Sequence, residues 1–239
     1  MQDGFRCAVF GASGGIGKAL AQQLCARTDV AQVHALSRLC GETSGKIHPH
    51  SFDLTDEASI ASACAAIGAP LDLVLVATGR LVRANGDGPE KSWRALDAGA
   101  MAELFAINTI GPALIAKHTL PLLRREGRPV FAALSARVGS ISDNRLGGWH
   151  AYRASKAALN MLVRNFAIEL ARTNPAAVAV ALHPGTVDSA LSRPFQRGVA
   201  PEKLFTPDQS AAHLLRVIDR LQVGDNGKHL AWDGTEIPA

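Results

Sequence analysis

At 239 residues the chain is long enough to bury one sizeable core, and 47% hydrophobic against 19% charged residues excludes a disordered chain. The formal charge of +4 comes from scattered basic residues whose densest cluster is Arg124, Arg125 and Arg128, a solvated helix end; with no aromatic residues interleaved, no nucleic-acid surface is expected. Cys7, Cys25, Cys40 and Cys64 lack paired spacing, the eight histidines form no metal-ligand pattern, and no uncharged apolar run reaches the roughly 18 residues of a membrane span. Reduced thiols, no metal, no membrane partner and a cytoplasmic location are therefore expected.

Short apolar runs alternate with segments of helical spacing along the whole chain. A strand at Arg6 to Phe10 leads to a helix from Ile16 to Arg27 and a second strand at Val33 to Leu36, a βαβ unit. An apolar stretch from Ile47 to Phe52, a helix from Glu57 to Ile67 and a run from Leu71 to Val76 follow. Helices at Met101 to Arg125 and Ala151 to Arg172 each precede a strand, Val130 to Leu134 and Ala177 to Leu182. A last helix, Pro207 to Leu221, precedes His229 to Trp232. Parallel strands need crossover connections, so this pattern predicts an α/β fold: one doubly wound Rossmann domain over residues 1–239, with a parallel seven-stranded sheet and helices on both faces. Residues 189–206, with Pro194, Gly198 and Pro201 and no clean period, are expected to form a substrate lid above the sheet. His48, Pro49 and His50 read as a surface turn.

Directly after the first strand stand Gly11, Ala12, Ser13, Gly14, Gly15, Ile16 and Gly17, opening a helix. Glycines let a backbone turn sharply and approach a pyrophosphate, whose charge meets free amides at a helix N-terminus. No acidic residue ends the second strand to bind both ribose hydroxyls. Ser37 and Arg38 stand there instead, a hydroxyl and a guanidinium suited to a 2′-phosphate, and they favour NADP(H) over NAD(H). An exposed loop arginine is the competing reading.

Tyr152, the only tyrosine, precedes Lys156 by four residues, which puts both on one face of a helix. A neighbouring ammonium would lower the phenol's pKa and equip it for general acid catalysis. At the end of the fifth strand Ser135 offers a hydroxyl to a substrate carbonyl, with Ser140 as the alternative. His150, beside the site, could touch substrate, with burial without function as the favoured reading. Trp149, Phe195 and Phe205 are candidates for an apolar substrate pocket.

The glycine spacing together with Tyr152 and Lys156 resembles the short-chain dehydrogenase/reductase family, and the likeness runs in order from Gly11 to Ser189. The stretch from Val138 to Trp149 looks most like the C-factor and sniffer-type carbonyl reductase branch. The resemblance implies that Asp53 and Leu54 contact adenine and that Asn108 holds a water near the lysine. It further implies that Ala77, Thr78 and Gly79 replace the family's NNAG turn, and that Pro184, Gly185, Val187 and Ser189 meet the nicotinamide end. It departs at the serine: three residues before Gly139 the family register selects Ala136, and Ser135 lies one position earlier. The activity implied is reduction of a small-molecule carbonyl to an alcohol, by a chain compatible with a homodimer or homotetramer. A C-factor-like signalling protein with little turnover, or an alcohol dehydrogenase working oxidatively, are the rivals.

Overall fold

The computed structural model describes residues 4–39, 41–68, 70–83, 85–189, 191–193, 196 and 200–239. In chain order the elements are β1 (Phe5–Phe10), α1 (Gly15–Ala26), β2 (Val30–Ser37), β3 (Ile47–Ser51), α2 (Glu57–Ile67), β4 (Leu73–Val76) and α3 (Ala98–Phe105). A π-helical segment (Ala106–Ile110) then leads into α4 (Gly111–Thr119), β5 (Val130–Leu134), α5 (His150–Thr173), β6 (Val178–His183), β7 (Thr186–Val187), β8 (Leu204–Phe205), α6 (Pro207–Arg220) and β9 (His229–Ala231).

Seven strands pair in parallel in the order β3-β2-β1-β4-β5-β6-β9, the sheet expected from the alternation. The central runs LVLV of β4 and VFAAL of β5 are buried at every residue, because helices cover both faces. On one face Leu20 and Leu24 of α1 meet Leu214, Leu215 and Ile218 of α6 over Val9, Leu75 and Val180. On the other, Ile60 of α2, Ile115 of α4 and Leu159 and Val163 of α5 cover Phe10, Val74, Phe131 and Ala179. Burial of this apolar area is the main force holding the layers together, worth about 25 cal/mol per Å².

One local reading is overturned and another refined. His48, Pro49 and His50 lie in β3, paired with β2, rather than in a turn. Proline is tolerated there because β3 is the edge strand and an unbonded edge needs no N–H at that position. His50 also meets His34 of β2, Nε2 to Nδ1 at 3.0 Å. The long helical region expected around Met101 to Arg125 runs without interruption from Ala98 to Leu122, but it carries a π turn, where Gly111 donates to Ala106 five residues back. Pro112 has no N–H and its ring would strike a carbonyl four residues earlier; widening the helix just before it removes that conflict.

The strand order reverses between β2 and β4 on either side of β1, which opens a crevice at the carboxyl ends of these strands. The loops after β1, β4, β5 and β6 all empty into it. β7 and β8 pair with each other, Thr186 to Leu204 and Val187 to Phe205, so the two ends of the lid region are tied together beside the crevice. Ala190, Pro194, Phe195, Arg197, Gly198 and Val199 of that region, like Cys40, lie outside the described residues.

Candidate active site

The loop after β1 is built by close backbone approach. Gly11 has φ +89 and donates to the Leu36 carbonyl at 2.8 Å, while a side chain on it would press on the backbone of Ala77. A Cβ at Gly17 would sit inside van der Waals contact of the Gly11 carbonyl oxygen. Gly14 caps α1 with no side-chain bond, and the first turn holds no acidic residue, so the amides of Gly15 and Ile16 face the crevice without a competing carboxylate. Ser13 and Gly14 are exposed on its rim. This cradle fits a dinucleotide pyrophosphate.

At the end of β2 the Ser37 hydroxyl donates to the Leu39 carbonyl at 2.6 Å, so its hydrogen is not free for a phosphate; the exposed Arg38 carries the positive charge there. Asp53 accepts from the Thr55 amide at 2.8 Å and hydroxyl at 2.7 Å, and these bonds hold its carboxyl below the usual range. Leu54 packs where any side chain on Gly111 would collide with it, which fixes α4 against this corner.

A cavity of about 330 Å³ lies beyond β4, β5 and β6, and Tyr152 and Lys156 of α5 both line it. The remaining wall includes Ile16, Ala77, Thr78, Gly79, Ser135, Ala136, Trp149, Pro184, Gly185, Val187 and Ser189, whereas the expected Asn108, the glycines of the loop, Ser37, Arg38, Asp53 and Leu54 lie outside it. Lys156 is 3% exposed and donates to the Leu134 carbonyl at 2.8 Å. Gly139 makes that approach feasible, since a Cβ there would lie 2.8 Å from the Lys156 Cβ.

Sequence reasoning expected the ammonium to lower the phenol's pKa. Burial sets both groups instead: desolvation pushes Tyr152 up to about 12 and Lys156 down to about 7. The phenol therefore holds its proton at neutral pH.

The entrance to α5 is unusual. Trp149 has φ 50, after Gly147 and Gly148 at 61 and 65, so three successive left-handed residues feed the helix. Glu90 fastens them: its carbonyl accepts from the Trp149 amide at 2.5 Å and its Oε2 from the Ala151 amide at 3.3 Å. Trp149 is thereby set edge-on to Tyr152, ring centres 6.4 Å apart, as part of the cavity wall. His150 is outside that lining.

Asn108, fully buried in the π segment, clamps the loop after β4 to α5. Its Oδ1 accepts from the Arg80 amide at 2.8 Å, and its Nδ2 donates to the Arg80 carbonyl at 2.8 Å and to Ser155 Oγ at 3.1 Å. Both side-chain amide hydrogens are therefore engaged, so a water near the lysine would have to donate to Asn108, at Oδ1 or at its main-chain carbonyl. Ser135 lines the cavity, whereas Ser140 is buried outside it and accepts from the Asp143 amide at 3.1 Å. Of the pocket candidates only Trp149 lines this wall as expected. Phe205 instead packs under Gly185, 4.7 Å from the Trp232 ring and 4.8 Å from His213, and Phe195 is outside the described residues.

His183 and Asn160 were not singled out from the sequence. His183 Nδ1, like Oγ1 of the expected Thr78, is buried at this cavity without a protein partner. Asn160 lies one turn past Lys156, a spacing of four that the sequence did display, and receives the Ser135 hydroxyl at 2.6 Å.

The short chain dehydrogenase family matches residues 6–199, and the chain belongs to it. The C-signal of Myxococcus xanthus is 38% identical over 157 residues, spanning 64% of this chain and 89% of that protein. The 1-hydroxy-2-glutathionyl-2-methyl-3-butene dehydrogenase of Rhodococcus sp. (strain AD45) is 37% identical over 141 residues, 59% of each chain. Among solved structures, the NADPH-bound carbonyl reductase from chicken fatty liver aligns with a TM-score of 0.83 at 28% identity over 98% of both chains. The carbonyl reductase Sniffer of D. melanogaster aligns with a TM-score of 0.83 at 21% identity over 99% of each, a likeness of fold.

Two outcomes follow from this geometry. Gly17→Ala should cost about 1–3 kcal/mol of stability by overpacking and weaken dinucleotide binding with it; unchanged melting and NADPH titration would mean the loop is not held this way. Burying Lys156 opposes folding most where the group is charged in both states, below about 7, and the penalty fades as pH rises toward the ordinary value of 10.5. Lys156→Met should thus raise the melting temperature at neutral pH, with the gain shrinking by pH 10; a gain that grows with pH contradicts the assignment.

Proposed function

We propose that the chain is an NADP(H)-dependent carbonyl reductase in which Tyr152 protonates the carbonyl oxygen while hydride reaches the carbon. The observation that carries the reading is the buried Tyr152 and Lys156 pair lining one cavity whose wall reaches Ile16, the residue between Gly15 and Gly17 of the glycine loop. NADP(H) would lie from Gly11, Ser13, Gly14, Gly15, Ile16 and Gly17, past Arg38, Asp53 and Leu54, to Ala77, Thr78, Gly79, Pro184, Gly185, Val187 and Ser189. The reduced nicotinamide supplies the hydride. Lys156 holds the ribose and Ser135 offers its hydroxyl to the substrate oxygen. Trp149 and Leu81, both on the cavity wall, exclude water from the reacting face.

At neutral pH the phenol is protonated, the form that can give a proton to a carbonyl oxygen; the same group would take that proton back from an alcohol, so the direction is set by the cofactor and substrate supplied. NADPH is supported by Arg38 at the end of β2, and the chicken liver relative binds that cofactor. A signalling role with little turnover has its own support in the likeness to C-signal and in Ala136, which leaves the family's serine position without a hydroxyl.

Tyr152→Phe keeps the ring and removes only the proton donor, so carbonyl reduction should fall about 10²- to 10⁴-fold with NADPH affinity nearly unchanged. Lys156→Ala should lower turnover and affinity together. If Tyr152→Phe keeps more than about a tenth of turnover, the reductase reading fails and the signalling one leads. Arg38→Ala should weaken NADPH by about 10- to 100-fold, the worth of a charge-assisted phosphate contact, and leave NADH almost unaffected. Equal losses for both cofactors would remove Arg38 from 2′-phosphate recognition.

A further inference from the structure

Ser135 lines the cavity, but its hydroxyl is engaged on the α5 side. It donates to Asn160 Oδ1 at 2.6 Å, and Asn160 Nδ2 meets His229 Nδ1 at 3.3 Å, so a chain of three polar side chains runs from the catalytic wall through α5 to β9. Ser135 is 4% and His229 8% exposed, and the outer nitrogen of His229, Nε2, is buried without a protein partner. Burial, helped by the nearby His183, Arg137 and Lys156 charges, pushes the His229 pKa down to about 4. The ring is therefore neutral and carries one hydrogen, on one nitrogen or the other.

That hydrogen decides the direction of the whole chain. With it on Nε2, Nδ1 accepts from the Asn160 amide nitrogen, Oδ1 faces Ser135, and the serine hydrogen is committed to Oδ1. Ser135 then has only lone pairs left for a ligand, and a carbonyl oxygen finds no donor there. With the hydrogen on Nδ1, His229 donates to Oδ1, the amide is turned over, and Nδ2 donates to Ser135 Oγ. The serine hydrogen is then released to the cavity. The two arrangements have the same number of hydrogen bonds within the chain, and a substrate oxygen that accepts from Ser135 adds one to the second.

We propose that Asn160, braced by His229, is a positioning residue that sets which way the Ser135 hydroxyl donates, and that carbonyl reduction runs through the arrangement with the amide turned over. The proposal rests on the assignment of Ser135 to the substrate carbonyl made above. It also accounts for a displaced serine working at all. With Ala136 in the family's serine position, the hydroxyl one residue earlier faces α5, and a partner that can either accept or donate lets it turn its hydrogen to the substrate without losing its hydrogen bond to the helix.

Asn160→Asp tests it directly, because a carboxylate accepts and cannot donate. It should lock the serine hydrogen away from the cavity and lower kcat about tenfold or more, approaching the 10²- to 10³-fold expected for loss of an oxyanion donor, with NADPH affinity unchanged. In a Ser135→Ala background the same change should cost less than about twofold, since its route of action is gone. Asn160→Leu, which frees the hydroxyl, should be milder than Asn160→Asp in kcat. A merely structural asparagine would show the reverse order, with the isosteric aspartate the milder change. Equal loss from Asn160→Asp in both backgrounds, or the reverse order, overturns the positioning role while leaving Ser135 in place. If Ser135→Ala alone leaves kcat intact, the serine assignment falls and takes this inference with it. His229→Phe, which keeps a ring and removes Nδ1, is the second route if the Asn160 variants do not fold. It should lower kcat severalfold in the wild-type background and have no effect with Ser135→Ala; equal effects in both backgrounds overturn the proposal.

Discussion

The arrangement depends on one unfavourable placement: an ammonium, Lys156, buried at the end of β5 with the Leu134 carbonyl as its protein partner. A buried lysine costs stability unless its charge is needed, and its depressed pKa is the measure of that cost. Several neighbouring features make the placement feasible. Gly139 lets the turn after β5 lie flat on α5, Asn108 ties the loop after β4 to Ser155 one residue before the lysine, and Glu90 fastens the left-handed entrance of the helix. The core layers fix the helix, and these polar clamps fix its first turns.

That division explains what the sequence disclosed. The seven-stranded sheet was legible because buried parallel strands and covering helices impose their periods on long stretches of chain. The glycine loop and the Tyr152 and Lys156 pair were legible because each is a local spacing with one chemical purpose. β3 was harder: a proline between two histidines reads as a turn, and only its place at the sheet edge makes it a strand. The π turn before Pro112 was invisible to a periodicity that assumes one helical pitch. Hydroxyl directions were beyond reach altogether, since whether Ser37 faces a phosphate or Leu39, and whether Ser135 faces substrate or Asn160, is set by partners distant in sequence or by a local turn.

The electrostatic expectation was reversed by burial. A lysine one turn from a tyrosine suggests a lowered phenol pKa, yet both groups lie in a closed wall, and desolvation acts on each toward its neutral form. A neutral phenol is the form a reductase requires at the moment of proton transfer. The free thiols Cys7 and Cys64 follow the same rule, held up to about 12 and about 11 by burial, and have no part in this chemistry.

The central claim is that this cavity transfers hydride to carbonyl compounds, and it is tested most directly on the unaltered protein with a panel of aldehydes and ketones. NADPH deuterated at the transferred position should be consumed one for one with alcohol formed, with the label on the carbinol carbon and a slower single turnover than with ordinary NADPH. Tight NADPH binding with no consumption across the panel would contradict the account and leave a dinucleotide-binding protein without this activity.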